Sequence, residues 1–247
     1  MAQHVFMHLV KHDAIRRRAR SKEYSRWWLA YPVLVALVGI VYFTIYVSSG
    51  EFQPQYLLYW TVALPYGFFM IAFARTHRER QNGTFGWWLS LPYSRFLLVS
   101  AKYTASVLYG IFCVLIAFVL TTLLSGYASL LNPMFGGDFL KQFFKAEFLW
   151  YGYLLCFIPF MAAYGMLTSF VGMSYLKPLL PLMWIGFGLS GNGFIWLTTK
   201  WQAFKEGPDP LHFAPQAWSW WGIVASFVAA GLMLAASAKI MEKQLRL

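Results

Sequence analysis

Six apolar stretches, each long enough to cross a bilayer, dominate this chain of 247 residues. They run approximately over 27–48, 55–74, 97–124, 148–171, 178–198 and 217–238. A helix needs about 20 predominantly apolar residues to cross a hydrocarbon layer ~30 Å thick, and each stretch supplies them. Lys102, near one end of the third, is the only Asp, Glu, Lys, Arg or His inside any of the six. A Lys, Arg or Asp at a span centre costs about 2.5–3.5 kcal/mol on insertion scales, so such residues are kept where proton relays, ion sites or chemistry need them. The expected fold is all-α: a polytopic membrane protein with six transmembrane helices, one membrane domain over 1–247.

The charge that remains sorts between the connectors. Charged residues make up only 12% of the chain, yet the net charge is +11. Residues 1–26, the connector 75–102, Lys177 and the segment after 238 hold 16 Lys/Arg against Asp13, Glu23, Glu79 and Glu242. The three intervening segments hold Lys141, Lys145, Lys200 and Lys205 against Glu51, Asp138, Glu147, Glu206 and Asp209. Excess Lys/Arg marks cytoplasmic loops, which places both termini in the cytoplasm of a multi-pass plasma-membrane protein. The basicity then reports orientation and contact with membrane lipid, and no nucleic-acid partner is expected.

The other chemical signals are sparse. Cys113 and Cys156 lie inside apolar runs and read as free thiols acting as small hydrophobes. His4, His8 and His12 recur every four residues beside arginines, which reads as a surface helix; a metal site would lack a further ligand. No catalytic residue and no metal site are expected. The first 26 residues are polar and basic, so no cleavable signal is expected there. Trp27 and Trp28, Trp150 and Tyr151, and Trp218, Trp220 and Trp221 open spans one, four and six, where aromatic side chains anchor at the interface.

Two cytoplasmic segments are expected to be helical without crossing. In residues 1–26, Phe6, Leu9 and Val10 form an apolar patch opposite His, Lys and Arg, the pattern of an interfacial amphipathic helix. In the connector RTHRERQNGTFGWWLSLPYSRFLLVSAK, Asn82-Gly83 marks a turn. Phe85, Trp88 and Leu89 follow at helical spacing, Pro92 ends that short helix, and Ser94 can cap the helix entering span three.

These residues carry a resemblance. The run Glu79-x-x-x-Gly83-Thr84, then Leu89-Ser90-Leu91-Pro92-x-Ser94-Arg95, then Lys102 at the start of an apolar span, resembles the permease subunit of type-2 ABC exporters. The motif covers about 25 residues, while the topology resembles that family over the whole chain. Phe85-Gly86-Trp87-Trp88 departs from it, since the family more often has aliphatic and acidic residues there.

The resemblance implies that the coupling segment lies in 75–95. Glu79, Arg80, Gly83, Thr84, Phe85, Trp88 and Leu89 would meet a separately encoded ATP-binding cassette subunit. Two copies of that subunit would bind ATP and Mg, and this chain would carry no cofactor. A second permease, identical or different, would complete the pathway. No G-x-x-x-x-G-K-[ST] phosphate loop occurs in the sequence, so ATP hydrolysis is expected on the partner. The alternatives are an ion- or proton-coupled carrier, for which the spans offer no carboxylate, and a membrane-embedded enzyme, for which they offer no paired His, Asp, Glu or Cys.

Beyond the membrane, 125–147 and 199–216 read as short outer connectors. The resemblance implies a small helical hairpin between spans five and six, which Trp196, Trp201, Phe204 and Phe213 could anchor. Span five holds Pro178 and Pro181 in its first turn, and Gly186, Gly188, Gly191 and Gly193 with Ser190 and Asn192 further on. Two readings stand: close helix packing through small residues, or a weakened helix whose Ser190 and Asn192 line the pathway or dimer seam. Backbone bonding accounts for Thr44, Thr61, Thr104 and Thr168. A compact, aromatic-rich chain suits an amphipathic or apolar cargo such as a peptide, lipid or drug.

Overall fold

The computed structural model describes residues 7, 9–10, 27–50, 52–83, 86, 90–199 and 217–243. Among them the regular elements are helices: α1 (Trp27–Ser48), α2 (Gln55–Tyr59), α3 (Leu64–Gln81), α4 (Arg95–Leu131), α5 (Gly137–Met173), α6 (Leu180–Thr199) and α7 (Ala217–Lys243). A 3-10 turn, Trp60–Ala63, joins α2 to α3. Among the described residues, four helical stretches are long and apolar enough to cross a membrane: Tyr56–Gln81, Arg95–Leu131, Gly137–Met173 and Trp220–Lys243. Helices α1 and α6, with 22 and 20 residues, coincide with the remaining two apolar stretches of the sequence.

Helices α4 and α5 have 37 residues each, so each is about 55 Å long. Both therefore outrun the hydrocarbon layer. The residues read as an outer connector, 125–147, are almost wholly helical, and only 132–136 interrupt α4 and α5. Hydropathy windows stop at Asp138, Lys141, Lys145 and Glu147, whereas backbone hydrogen bonding does not. Pro133 ends α4, because a residue before proline is pushed out of the α region; Asn132 is extended at φ −133°, ψ 116°. At the start of α4, Ser94 caps the helix as expected, its hydroxyl accepting from Leu97 N–H at 3.4 Å.

Helix α5 forms the axis of the bundle, with α3, α4 and α7 packed around it. Its Trp150, Leu154, Ile158, Met161, Met166 and Phe170 are buried. Gly165 permits the closest approach: a Cβ there would lie 2.3 Å from the Phe69 carbonyl oxygen of α3. Small residues at such crossings let helices associate where lipid removes the hydrophobic drive between them. The opposite faces are apolar and exposed, as on α4 at Leu108, Phe112, Leu115, Val119 and Leu123. That is the polarity a lipid solvent requires.

Two apolar clusters close the ends of the bundle. At one end Leu98 and Val99 of α4, Phe170 and Met173 of α5, and Ala238 and Met241 of α7 pack together with Leu9. Val10 is buried against Ala101 and Ala105 of α4. At the other end Phe52 sits edge-on to Phe43, Tyr46 and Phe135, tying α1 to the α4–α5 hairpin.

The tryptophan reading divides. Trp220 and Trp221 are exposed and suit an interfacial belt, but Trp150 is fully buried and Tyr151 nearly so. The Trp150 indole N–H donates to Thr61 Oγ1 at 2.6 Å, so it serves the interior rather than the headgroup layer. Phe6, His4, His8, His12 and the 200–216 segment, with its expected hairpin, lie outside the described residues.

Candidate functional site

The last turn of α3 and the third turn of α4 bring together two of the three charged residues of the sequence motif. Glu79 and Lys102, 23 positions apart in sequence, form an ion pair. Both are buried, with 8% and 2% of their surface exposed. The neighbours of Lys102 on α4, Leu98, Val99, Ala101, Ala105 and Ser106, are buried too. Two ions removed from water gain from each other only when paired closely, and removing one partner strands the other. The pair thus fastens the end of α3 to the start of α4, on either side of the connector.

Neighbouring side chains extend this fastening. One turn before Glu79, Arg75 Nη1 donates to the Ala105 carbonyl at 3.3 Å, and its guanidinium lies 5.8 Å from the Tyr109 ring centre. Arg80 Nη1 reaches the Gly172 carbonyl of α5 at 3.5 Å. Thr76 is buried and bonds its own helix at Ala72. Ser169 of α5 is also fully buried, with no hydrogen-bond partner for its hydroxyl among the described residues. Three helices therefore present polar side chains at one end of the bundle.

The connector begins with a turn that requires glycine. Asn82 N–H bonds the Arg78 carbonyl, Gly83 N–H bonds the Arg80 carbonyl, and Gly83 adopts φ +66°. A left-handed residue past the end of a helix is the usual place for glycine. Ser90 N–H bonds the Gly86 carbonyl at 3.1 Å, one helical turn's reach. Thr84, Phe85, Trp88 and Leu89 lie outside the described residues, so of the coupling set the structure places Glu79, Arg80 and Gly83.

Span five divides similarly. Ser190 Oγ donates to the Phe187 carbonyl of its own helix at 2.8 Å. The Asn192 side chain lies outside the described residues. Gly186 favours the packing reading at its own position: a Cβ there would lie 2.4 Å from the Tyr164 hydroxyl. That hydroxyl donates to the Met183 carbonyl at 2.6 Å, holding α6 against α5. Thr44, Thr61, Thr104 and Thr168 each donate to a carbonyl three or four residues earlier, as expected. Thr44 Oγ1 also lies 3.1 Å from Tyr127 Oη.

A second polar site was not expected from hydropathy. Glu147 is fully buried in α5, in contact with Thr121 and Thr122 of α4. Tyr151, Thr61 and Trp150 complete the cluster. Charge counting puts Glu147 in an outer connector, but helical spacing contains the missed signal. Phe143, Glu147, Trp150, Tyr151, Leu154 and Ile158 recur at intervals of four, three, one, three and four, a single helical stripe.

A family model described as "ABC-2 family transporter protein" matches residues 27–242. No curated protein matches the chain, and no solved structure does.

Proposed function

The chain belongs to the ABC-2 family of transporter proteins, and from that membership we propose that it is the membrane permease of an ATP-driven exporter. It works in the plasma membrane with six transmembrane helices and both termini in the cytoplasm. Two copies of a separate ATP-binding subunit hydrolyse ATP with Mg, and a second permease completes the pathway.

The observation that supports this reading best is the buried Glu79–Lys102 pair. A connector that receives a push from a partner must pass it to the spans rather than flex. An ion pair joining α3 to α4, reinforced by Arg75 on Ala105 and Arg80 on Gly172, makes both arms of the connector move with the bundle. The coupling segment is 75–95, with Glu79, Arg80 and Gly83 at its root and Thr84, Phe85, Trp88 and Leu89 toward the ATPase. The N-terminal segment leans on the same partner, a reading supported by the packing of Leu9 and Val10 against the start of α4. Ser190 and Asn192 are candidates for the pathway or dimer seam, and the cargo is amphipathic or apolar.

The deciding experiment follows transport in vesicles holding the chain and the ATP-binding subunit encoded beside it. ATP depletion should stop transport, and dissipating the membrane potential should not. Co-purification of the two chains, lost when Phe85 and Trp88 are both changed to Glu, tests the docking segment. A buried carboxyl at Glu147 is the specific ground for the second reading, an ion- or proton-coupled carrier. Transport that survives ATP depletion but not an uncoupler would establish that reading instead.

A further inference from the structure

The cluster around Glu147 plays no part in the exporter reading. Glu147 is 0% exposed, with Oε1 in contact with Thr121 Oγ1 and Oε2 3.0 Å from Thr122 Oγ1. Thr121 Oγ1 also lies 3.0 Å from the carbonyl oxygens of both Ala117 and Phe118, and 3.1 Å from Tyr151 Oη. Thus α4 faces the carboxyl with two hydroxyls and α5 with the Tyr151 phenol; Thr61 and the Trp150 indole stand behind, from the α2–α3 segment and α5. No Lys, Arg or His among the described residues pairs with Glu147. Lys141 and Lys145 on the same helix are exposed, and Lys141 engages the exposed Asp138 at 3.2 Å.

Burial of a charge decides the form of the carboxyl. A threonine hydroxyl has one proton to give and two positions at which to accept, whereas carbonyl and carboxylate oxygens only accept. Were Glu147 ionised, Thr121 would donate to Oε1 in place of the Ala117 or Phe118 carbonyl, and Thr122 to Oε2. Its charge would then be buried without a counter-ion among the described residues. With Glu147 neutral, the hydrogen bonds are made and no charge is left buried. Glu147 and Tyr151 each donate to Thr121, Thr121 donates to a backbone carbonyl, and Thr122 shares its proton between Oε2 and the Phe118 carbonyl, 2.9 Å away.

We propose that Glu147 is a proton-binding site, holding a neutral carboxylic acid whose O–H to Thr121 latches α4 to α5. Release of that proton to water leaves a carboxylate on Oε1. The Thr121 hydroxyl must then donate to Oε1 while still accepting from Tyr151, and the charge left buried between α4 and α5 loosens the latch. Lys102 and Thr121 are 19 residues apart on α4, about 28 Å along the helix. The latch therefore lies nearly a bilayer thickness from the Glu79–Lys102 pair, and acts at the opposite end of the same helix.

Infrared difference spectroscopy on the full chain in lipid nanodiscs, titrated with pH, tests this without any transport assay. A protonated-carboxyl carbonyl band is expected at neutral pH, lost in Glu147→Gln and shifted in Thr121→Val. A carboxylate band from Glu147 at neutral pH overturns the proposal. Melting gives a second readout, since the Gln amide can donate to Thr121 and accept from Thr122 like the neutral acid. A carboxyl kept neutral by the fold loses stability as pH rises above its unfolded value of about 4.3. Glu147→Gln should therefore melt with the wild type at about that pH and stay flat on alkaline titration, where the wild type falls below it; Glu147→Ala should melt below Glu147→Gln throughout. If Glu147→Gln melts as low as Glu147→Ala, the site holds a charge and the proposal fails.

Discussion

The two ends of α4 handle a buried carboxyl in different ways. Near its start Lys102 meets Glu79 of α3, and the pair keeps its charges by neutralising each other. Toward its far end Thr121 and Thr122 meet Glu147 of α5 with hydroxyls and no described cation. An ion pair resists separation strongly but takes no ligand. A carboxyl ringed by hydroxyls is held by weaker bonds and can exchange a proton. The first arrangement suits a joint that transmits force, the second a joint that opens.

The comparison is broken most directly at Lys102. Lys102→Ala removes the ammonium that Glu79 pairs with, and the expected loss is about 3–5 kcal/mol. It reads as a large fall in melting temperature and in membrane accumulation. Glu79→Gln added to Lys102→Met should recover much of that stability, because a buried pair can be replaced by neutral groups at little cost. A Lys102→Ala protein that melts with the wild type would remove the pair as a joint.

At the opposite end the expected effects are smaller. Thr61→Val deprives the buried Trp150 indole of its acceptor, with an expected cost of about 1–3 kcal/mol. Thermal melting in detergent measures it, and Trp150→Phe on top of Thr61→Val should add little beyond the ring's lost volume. Equal losses for Lys102→Ala and Thr61→Val would erase the contrast between the two ends.

Gly83→Ala sharpens the account of the connector. Its φ of +66° costs an alanine about 1–2 kcal/mol, confined to the turn. Coupling of ATP hydrolysis to transport should fall in the assembled complex while the melting temperature of the bundle moves little. Lys141→Ala is the control at the bottom of the scale. Its ion pair with Asp138 is solvent-exposed on both sides, and no change in melting or transport is expected.

Much of the helical layout is legible in the chain, and the reason is the solvent. In hydrocarbon a backbone must satisfy its own polar groups, so each apolar stretch becomes a helix: α1 occupies Trp27–Ser48, the stretch read from the sequence. Helix ends were less legible, since Asp138 to Glu147 end a hydropathy window without ending α5. Trp150 shows a further gap. Its place at a span end suggests an anchor, but only the approach of Thr61, 89 residues away, makes it a core residue.

The candidate site was legible as a motif and silent as geometry. Glu79, Gly83, Ser94 and Lys102 stand out by spacing, and local rules account for the cap at Ser94 and the turn at Gly83 because both depend on neighbours in sequence. By itself the sequence determined which stretches become helices and how charge divides between their ends. These follow from short-range hydrogen bonding and from the cost of putting charge into lipid. Only the tertiary structure decided that Glu79 meets an ammonium while Glu147 meets hydroxyls. A carboxyl's partners are set by which helix faces pack against it, and that packing depends on contacts such as Gly165 on Phe69 that no local pattern contains.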